Sequence, residues 1–225
     1  TARLLLGVYT VITLAVAAVL WTLHLVGAAP RMDLYNAVAH AMTAVATAGF
    51  SPEPLSAAAF TAPAQWVLIA GMLIGGTSFV LLVLTARTGP RRLLGSEEFR
   101  VYIGSVTALS LAVAVALVLE GRYAWAGALH HGVFNTVSIV TTTGFASADF
   151  ALWSAAGTHL LFLGMFLGAM VGSTTCSIKT LRWVIVAKTV RRQLFLAVNP
   201  RAVRPVRLDG EPIDEEIIPD ALVFV

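Results

Sequence analysis

Four stretches of this chain, residues 4–30, 54–86, 101–119 and 150–178, contain no Lys, Arg, Asp or Glu. A bilayer-spanning helix needs about 20 mostly apolar residues, and each stretch can hold one. The rest of the composition agrees. Only 12% of the 225 residues are charged, about half the fraction usual in a soluble domain, and mean hydropathy is +0.84. The sequence therefore predicts an all-α integral membrane protein.

The basic residues predict its orientation. Arg3, Arg87, Arg91, Arg92, Arg100, Lys179, Arg182, Lys188, Arg191, Arg192, Arg201, Arg204 and Arg207 fall at one set of helix ends, and Arg31 and Arg122 at the other. The positive-inside rule makes the first set cytoplasmic. The sequence pI near 9.4 then reports topology, and no nucleic-acid partner is expected. Asp33, Glu53, Glu120 and Asp149 fall on the outer side, where a mildly negative vestibule would attract cations. The single cysteine, Cys176, excludes an internal disulfide framework and any multi-cysteine metal site. The first apolar run is too long for a cleavable signal peptide and lacks its small-residue cleavage site. Because the chain starts at Thr1 without methionine and stops in the apolar ALVFV, it reads as a piece of a longer polypeptide.

The chain also repeats itself. TAGFS at 47–51 returns as TTTGFA at 141–146, with Gly49 matching Gly144 and Phe50 matching Phe145. LAVA at 14–17 recurs at 111–114, and Gly71-Met72-x-x-Gly75 recurs as Gly164-Met165-x-x-Gly168. The offsets drift slowly, from 97 to 95 to 93, as one duplicated unit with small deletions would give, and such a repeat fixes the architecture. The unit reads as long helix, short helix, Gly-Phe turn, long helix. One unit covers 1–95, with a spanning helix at 4–27, a pore helix at 34–46 begun by the N-cap Asp33, a turn at 47–50 and a spanning helix at 64–86. The next covers 96–198, with a spanning helix at 101–119, a pore helix at 127–140, a turn at 141–145 and an inner helix at 157–186. The last is too long for one crossing. Its middle, VGSTTCSIK at 171–179, predicts a break at membrane depth, tolerated only where it is buried in protein or lines water. Residues 199–225 read as a cytoplasmic link and the start of a further unit.

A helix that stops halfway through the bilayer aims its C-terminal carbonyls, with about half a negative elementary charge, at the centre. An extended chain returning outward from it can line a path with backbone carbonyls that replace a cation's hydration shell. Threonine adds hydroxyl oxygen and stiffness, glycine permits unusual backbone angles, and the following Phe can wedge the loop against neighbouring helices. The candidate ion-binding residues are Thr47, Ala48, Gly49 and Phe50 in one wall, and Thr141, Thr142, Thr143, Gly144 and Phe145 in the other. The candidate gate is Gly172, Ser173, Thr174, Thr175, Cys176 and Ser177, with Lys179 below it.

These residues resemble the Trk/Ktr/HKT superfamily of potassium transporters, most closely the membrane subunit of bacterial Trk systems. HAMTAVATAGFS at 40–51 resembles a second filter segment and VSIVTTTGF at 137–145 a third. SEEFRVYIG at 96–104 resembles the linker opening the third unit, GSTTCSIKTLRW at 172–183 its glycine-rich inner-helix break, and NPRAVRPVRLDGEPI at 199–213 the link to the fourth. The resemblance implies the second and third of four pore units around one pathway, in the inner membrane of a bacterial cell. It implies potassium as the transported ion, bound at the filter residues only, and no other cofactor or metal. It also implies as partners the missing units of the same polypeptide, a second copy in a homodimer, and a cytoplasmic nucleotide-binding regulatory subunit. Glycine in both walls goes with potassium over sodium.

Other chemistries fit less well. His130 and His131 are adjacent on a helix and do not share a face, with no carboxylate placed to complete a metal site. Gly172 to Thr180 lacks the second glycine and the preceding strand of a phosphate-binding loop. Ser177 or Cys176 with Lys179 could be drawn as nucleophile and base, but an ionisable residue near a helix end more simply marks the cytoplasmic mouth, so no enzyme is expected. The competing readings are a non-conducting assembly module and a sodium-preferring transporter of the same fold.

Overall fold

A computed structural model of the chain describes residues 2–199, 202 and 205–212. The expected start of a further unit at 214–225 lies outside the described residues. Among the described residues the regular structure is helical apart from one small hairpin.

α1, Ala2–Leu25, buries Thr13, Val16 and Leu20 on one stripe and exposes Leu6, Val11 and Leu14 on the other, the helical spacing of a face that packs and a face that meets an apolar solvent. α2, Leu34–Val45, starts where the Asp33 carboxylate accepts the Asn36 N–H at 2.8 Å, which satisfies one of the orphan donors of the first turn. α3, Ala62–Gly75, carries Pro63 in its first turn, where a missing N–H costs nothing. α4, Phe79–Thr88, and the short α5, Arg91–Gly95, follow.

α6, Glu97–Leu119, is capped by Ser96 and has Glu97 and Glu98 in its first turn, complementing the positive end of the helix dipole. It packs along α7, Trp125–Val140. The crossing is close: a Cβ on Gly132 of α7 would lie 3.1 Å from the Ala114 nitrogen of α6. α8, Ala155–Gly164, starts at the N-cap Ser154, which also bonds Glu120. α9, Thr180–Val198, is the last helix among the described residues. A hairpin pairs β1, Arg207–Leu208, with β2, Glu211–Pro212. Asp209-Gly210 turns it with φ of 50° and 90°, the left-handed pair that a two-residue hairpin loop requires.

Among the described residues two helices, Arg3–Leu25 and Glu97–Leu119, are long and apolar enough to cross a membrane, and a third span exists if α3 and α4 are one bent crossing. That bend corrects the sequence reading. The single helix expected over 64–86 is two helices meeting at 96°, separated by Gly76, Thr77 and Ser78. The inner stretch expected over 157–186 is α8 and α9, with non-helical chain from Met165 to Lys179. Both repeats are thus broken at corresponding places. The main core runs through α1, α2, α3, α6 and α7 and includes Leu20, Met72, Tyr102, Phe134 and Phe145.

Candidate functional site

The two Gly-Phe turns have the same backbone. After α2, the N–H groups of Ala46, Thr47 and Ala48 donate to the carbonyls of Met42, Ala44 and Thr43 at 3.0, 3.2 and 2.8 Å. After α7, those of Thr141, Thr142 and Thr143 donate to Val137, Ile139 and Ser138 at 2.9, 2.9 and 2.8 Å. Every partner is displaced by the repeat offset. The dihedrals repeat as well: φ is 51° at Thr47 and 54° at Thr142, then 70° at Gly49 and 88° at Gly144. Holding a threonine in the left-handed region costs roughly 1–2 kcal/mol, and such strain persists where the surroundings over-determine it, often at functional positions.

The turns also touch. A Cβ on Gly49 would sit 1.7 Å from the Thr143 carbonyl oxygen and 2.7 Å from its carbon, so only the bare Cα lets the two backbones approach. Gly144 has nothing within 4 Å of its Cβ position. Thr47, Thr141 and Thr143 are buried, whereas Ala48 and Gly144 are exposed. Thr141 Oγ1 and Thr143 Oγ1 share a 2.8 Å hydrogen bond. The two phenylalanines part company. Phe145 is 1% exposed, with its ring 5.5 Å from that of His40 in the preceding repeat, whereas Phe50 is 77% exposed. Only Phe145, of the two, is packed against the neighbouring helices.

Each short helix is strutted to the chain that leaves its turn. His40 lies with Nδ1 at 2.8 Å from the Asn36 carbonyl and Nε2 at 2.9 Å from Ser51 Oγ. A carbonyl only accepts, so Nδ1 carries the proton and Nε2 accepts from Ser51. Ninety-five positions later, Asn135 donates to the His131 carbonyl at 2.9 Å and to Ser147 Oγ at 3.0 Å.

The segment between α8 and α9 packs against both turns. Thr174 Oγ1 lies 3.0 Å from Thr47 Oγ1 and 3.1 Å from the carbonyls of Val45 and Gly75. The Cys176 N–H donates to Thr142 Oγ1 at 3.1 Å. The two strained threonines, Thr47 and Thr142, are therefore the contact points of one loop. Gly172 turns it with φ of 76°. Ser173 Oγ and Thr175 Oγ1 are 2.9 Å apart, and Lys179 Nζ donates to both hydroxyls and to the Thr175 carbonyl. Thr175 is buried, Cys176 is exposed, and the buried Ser177 hydroxyl makes no hydrogen bond.

Two elements of this arrangement went unread in the sequence. The α3–α4 break offers its free carbonyls to the loop: Met170 N–H donates to Gly76 at 3.0 Å and Thr174 N–H to Gly75 at 3.2 Å, while Phe79 N–H returns a bond to Gly172 at 3.1 Å. The signal was present, since Gly75 is the repeat partner of Gly168 and is followed by Gly76-Thr77-Ser78. The second element is Glu98, whose Oε1 accepts the Val171 N–H at 2.7 Å and tethers the loop to α6. Its place beside the helix cap disguised it as an ordinary first-turn acid.

The family model for TrkH, described as a cation transport protein, matches residues 1–225. The chain belongs to the TrkH family. Among family members, it is 32% identical over 221 residues to the Trk system potassium uptake protein TrkH of Halomonas elongata, covering 96% of this chain and 44% of that protein. It is 30% identical over 223 residues to TrkH of Escherichia coli K12, with 97% and 44% covered. The structure of the potassium transporter TrkH from Vibrio parahaemolyticus superimposes with a TM-score of 0.90 at 27% identity, over 99% of this chain and 47% of that one. The chain spans less than half the length of these relatives. It shares the fold of the Vibrio parahaemolyticus structure, mostly helical with apolar helices that fit a membrane protein, and belongs to a family of transporters.

Proposed function

We propose that this chain forms two adjacent walls of a potassium pathway in a Trk-type transporter, with further walls supplied by the rest of the polypeptide. The carbonyls and hydroxyls of Thr47 to Gly49 and Thr141 to Gly144 line the selective part. The basic residues of the α4–α6 connection and of α9 face the cytoplasm, and the loop Gly172–Ser177 closes the pathway beneath the turns. One observation carries the reading. Two turns of matching backbone pattern stand at the ends of two short helices and meet through Gly49 and Thr143, which brings the negative ends of two helix dipoles together. The potassium uptake named for the relatives supports the choice of ion.

The test is selectivity in the full-length transporter. Gly144→Ser places a side chain where nothing lies within 4 Å, so it meets no clash and adds only the strain of a side chain at φ 88° while the lining changes. Potassium-to-sodium preference should fall. Unchanged preference with normal uptake would refute the filter assignment, and substitutions at both glycines that leave transport indifferent would favour a non-conducting assembly module.

A further inference from the structure

The middle of α9, the start of α6 and the chain at 205–207 enclose a cleft of about 330 Å³ walled by Glu97, Lys188, Arg191, Arg192, Val206 and Arg207. Its three walls are pinned to one another. Asp209 Oδ1 accepts the Glu97 N–H at 2.7 Å, and Lys188 Nζ donates to Glu97 Oε2 and to the Arg207 carbonyl, both at 2.6 Å. Val206, 5% exposed, packs on Ile185 and Leu181 of α9. Arg207 is thereby held across the same concavity from Arg191 and Arg192. Among the described residues, Arg191 and Arg207 line the cleft beside the Lys188–Glu97 pair, whose charges offset each other. The cleft favours an anion.

Its depth suggests where the anion comes from. α2 has 12 residues and is about 18 Å long at 1.5 Å per residue, so its end lies near the middle of a hydrocarbon core about 30 Å thick. Thr174 bonds the last carbonyl of α2, and α9 begins six residues later at Thr180. Lys188 to Arg192 lie about 12–18 Å along α9 from its start, and Lys188 bonds Glu97, the first residue of the candidate span Glu97–Leu119, the level at which lipid phosphates begin. On the same helix Val190, Leu194 and Val198 are exposed at intervals of four residues, a surface that acyl chains tolerate. We propose that this cleft binds a phosphate group presented by the headgroup of an acidic phospholipid in the adjoining leaflet. Guanidinium forks bond phosphate oxygens in pairs. A phosphate held between Arg191 and Arg207 would tie α9, which continues directly from the Gly172–Ser177 loop, to the 205–212 linker.

The test uses the full-length protein in detergent and reads binding, so it is independent of whether the chain conducts potassium. Dioctanoyl phosphatidylglycerol, dioctanoyl phosphatidylcholine and inorganic phosphate are titrated separately, with the thermal unfolding midpoint as readout. Phosphatidylglycerol should raise the midpoint saturably, and phosphatidylcholine should not. Arg191→Gln and Arg207→Gln should each weaken that response about tenfold, as expected for losing a charge-assisted pair of hydrogen bonds, while Arg87→Gln, on α4 outside the cleft, leaves it intact. If a glutamine variant lowers the midpoint before ligand is added, Arg191→Lys keeps the charge, removes the fork and should still weaken binding. Inorganic phosphate matching the lipid in the wild type, and failing in the same variants, would keep the cleft but refute the lipid as the source. Equal responses to phosphatidylglycerol in wild type and arginine variants would overturn the site.

Discussion

Replacing Gly49 with alanine should be among the most damaging single-methyl additions this chain can receive. The new Cβ would lie 1.7 Å from the Thr143 carbonyl oxygen and 2.7 Å from its carbon. Carbon and carbonyl oxygen approach to about 3.3 Å even in favourable C–H···O contacts, so the turns would have to separate by about 1.6 Å. Neither side can yield by a rotamer change, because both contacted atoms are backbone. Separation would strain the bonds that shape the turns, Ala48 N–H to Thr43 and Thr143 N–H to Ser138, both 2.8 Å. Each is worth about 1 kcal/mol net, and alanine at φ near 70° adds roughly 1–2 kcal/mol. The total, about 3–4 kcal/mol, is a large share of the 5–15 kcal/mol that holds a typical protein folded, and it falls on the geometry of the carbonyls. In the full-length transporter, Gly49→Ala should abolish potassium-supported growth and rubidium uptake, and should lower the thermal midpoint of whatever protein inserts. Gly144→Ala, with open space around it, should carry only the dihedral strain and be the milder of the pair. Normal uptake and an unchanged midpoint in Gly49→Ala would refute the backbone contact between the turns.

Thr174→Val keeps the shape of the side chain but removes the hydroxyl shared by Thr47, Val45 and Gly75. It should destabilise the loop by about 1–3 kcal/mol and raise basal rubidium flux with selectivity unchanged; reduced flux in well-inserted protein would count against a gating role. Phe145→Ala empties a site only 1% exposed and should cost about 3–5 kcal/mol, read as a lowered unfolding midpoint; a midpoint equal to wild type would show that the ring is not seated on the preceding repeat. Asp33→Ala removes the cap of α2 and should cost about 1 kcal/mol in the same assay, an effect that Asp33→Asn should largely rescue.

Much of this architecture is legible in residue order. The uncharged windows announce membrane helices because a charged group in hydrocarbon is costly wherever it falls along a span, a property of composition that needs no partner. Asp33 starts α2 by a bond to a backbone group three residues away, and the turns repeat because Ala46 to Ala48 and Thr141 to Thr143 make the same local hydrogen bonds. The α3–α4 break is a different case. Its run is apolar throughout, and an isolated helix would satisfy its own carbonyls; those of Gly75 and Gly76 turn away because Thr174 and Met170, almost a hundred residues on, supply donors.

The same division separates the two phenylalanines and the two glycines. Phe50 and Phe145 occupy equivalent places in the repeat, yet one is exposed and the other sits against His40. Gly49 and Gly144 share a backbone conformation, yet only Gly49 meets a neighbouring backbone. Caps, turns and most helix lengths follow from contacts within a few residues, so residue order reveals them; the α3–α4 break, held by donors almost a hundred residues away, is the exception. Which copy is buried or in contact depends on the neighbour brought alongside, and the local pattern that the two copies share says nothing of that neighbour.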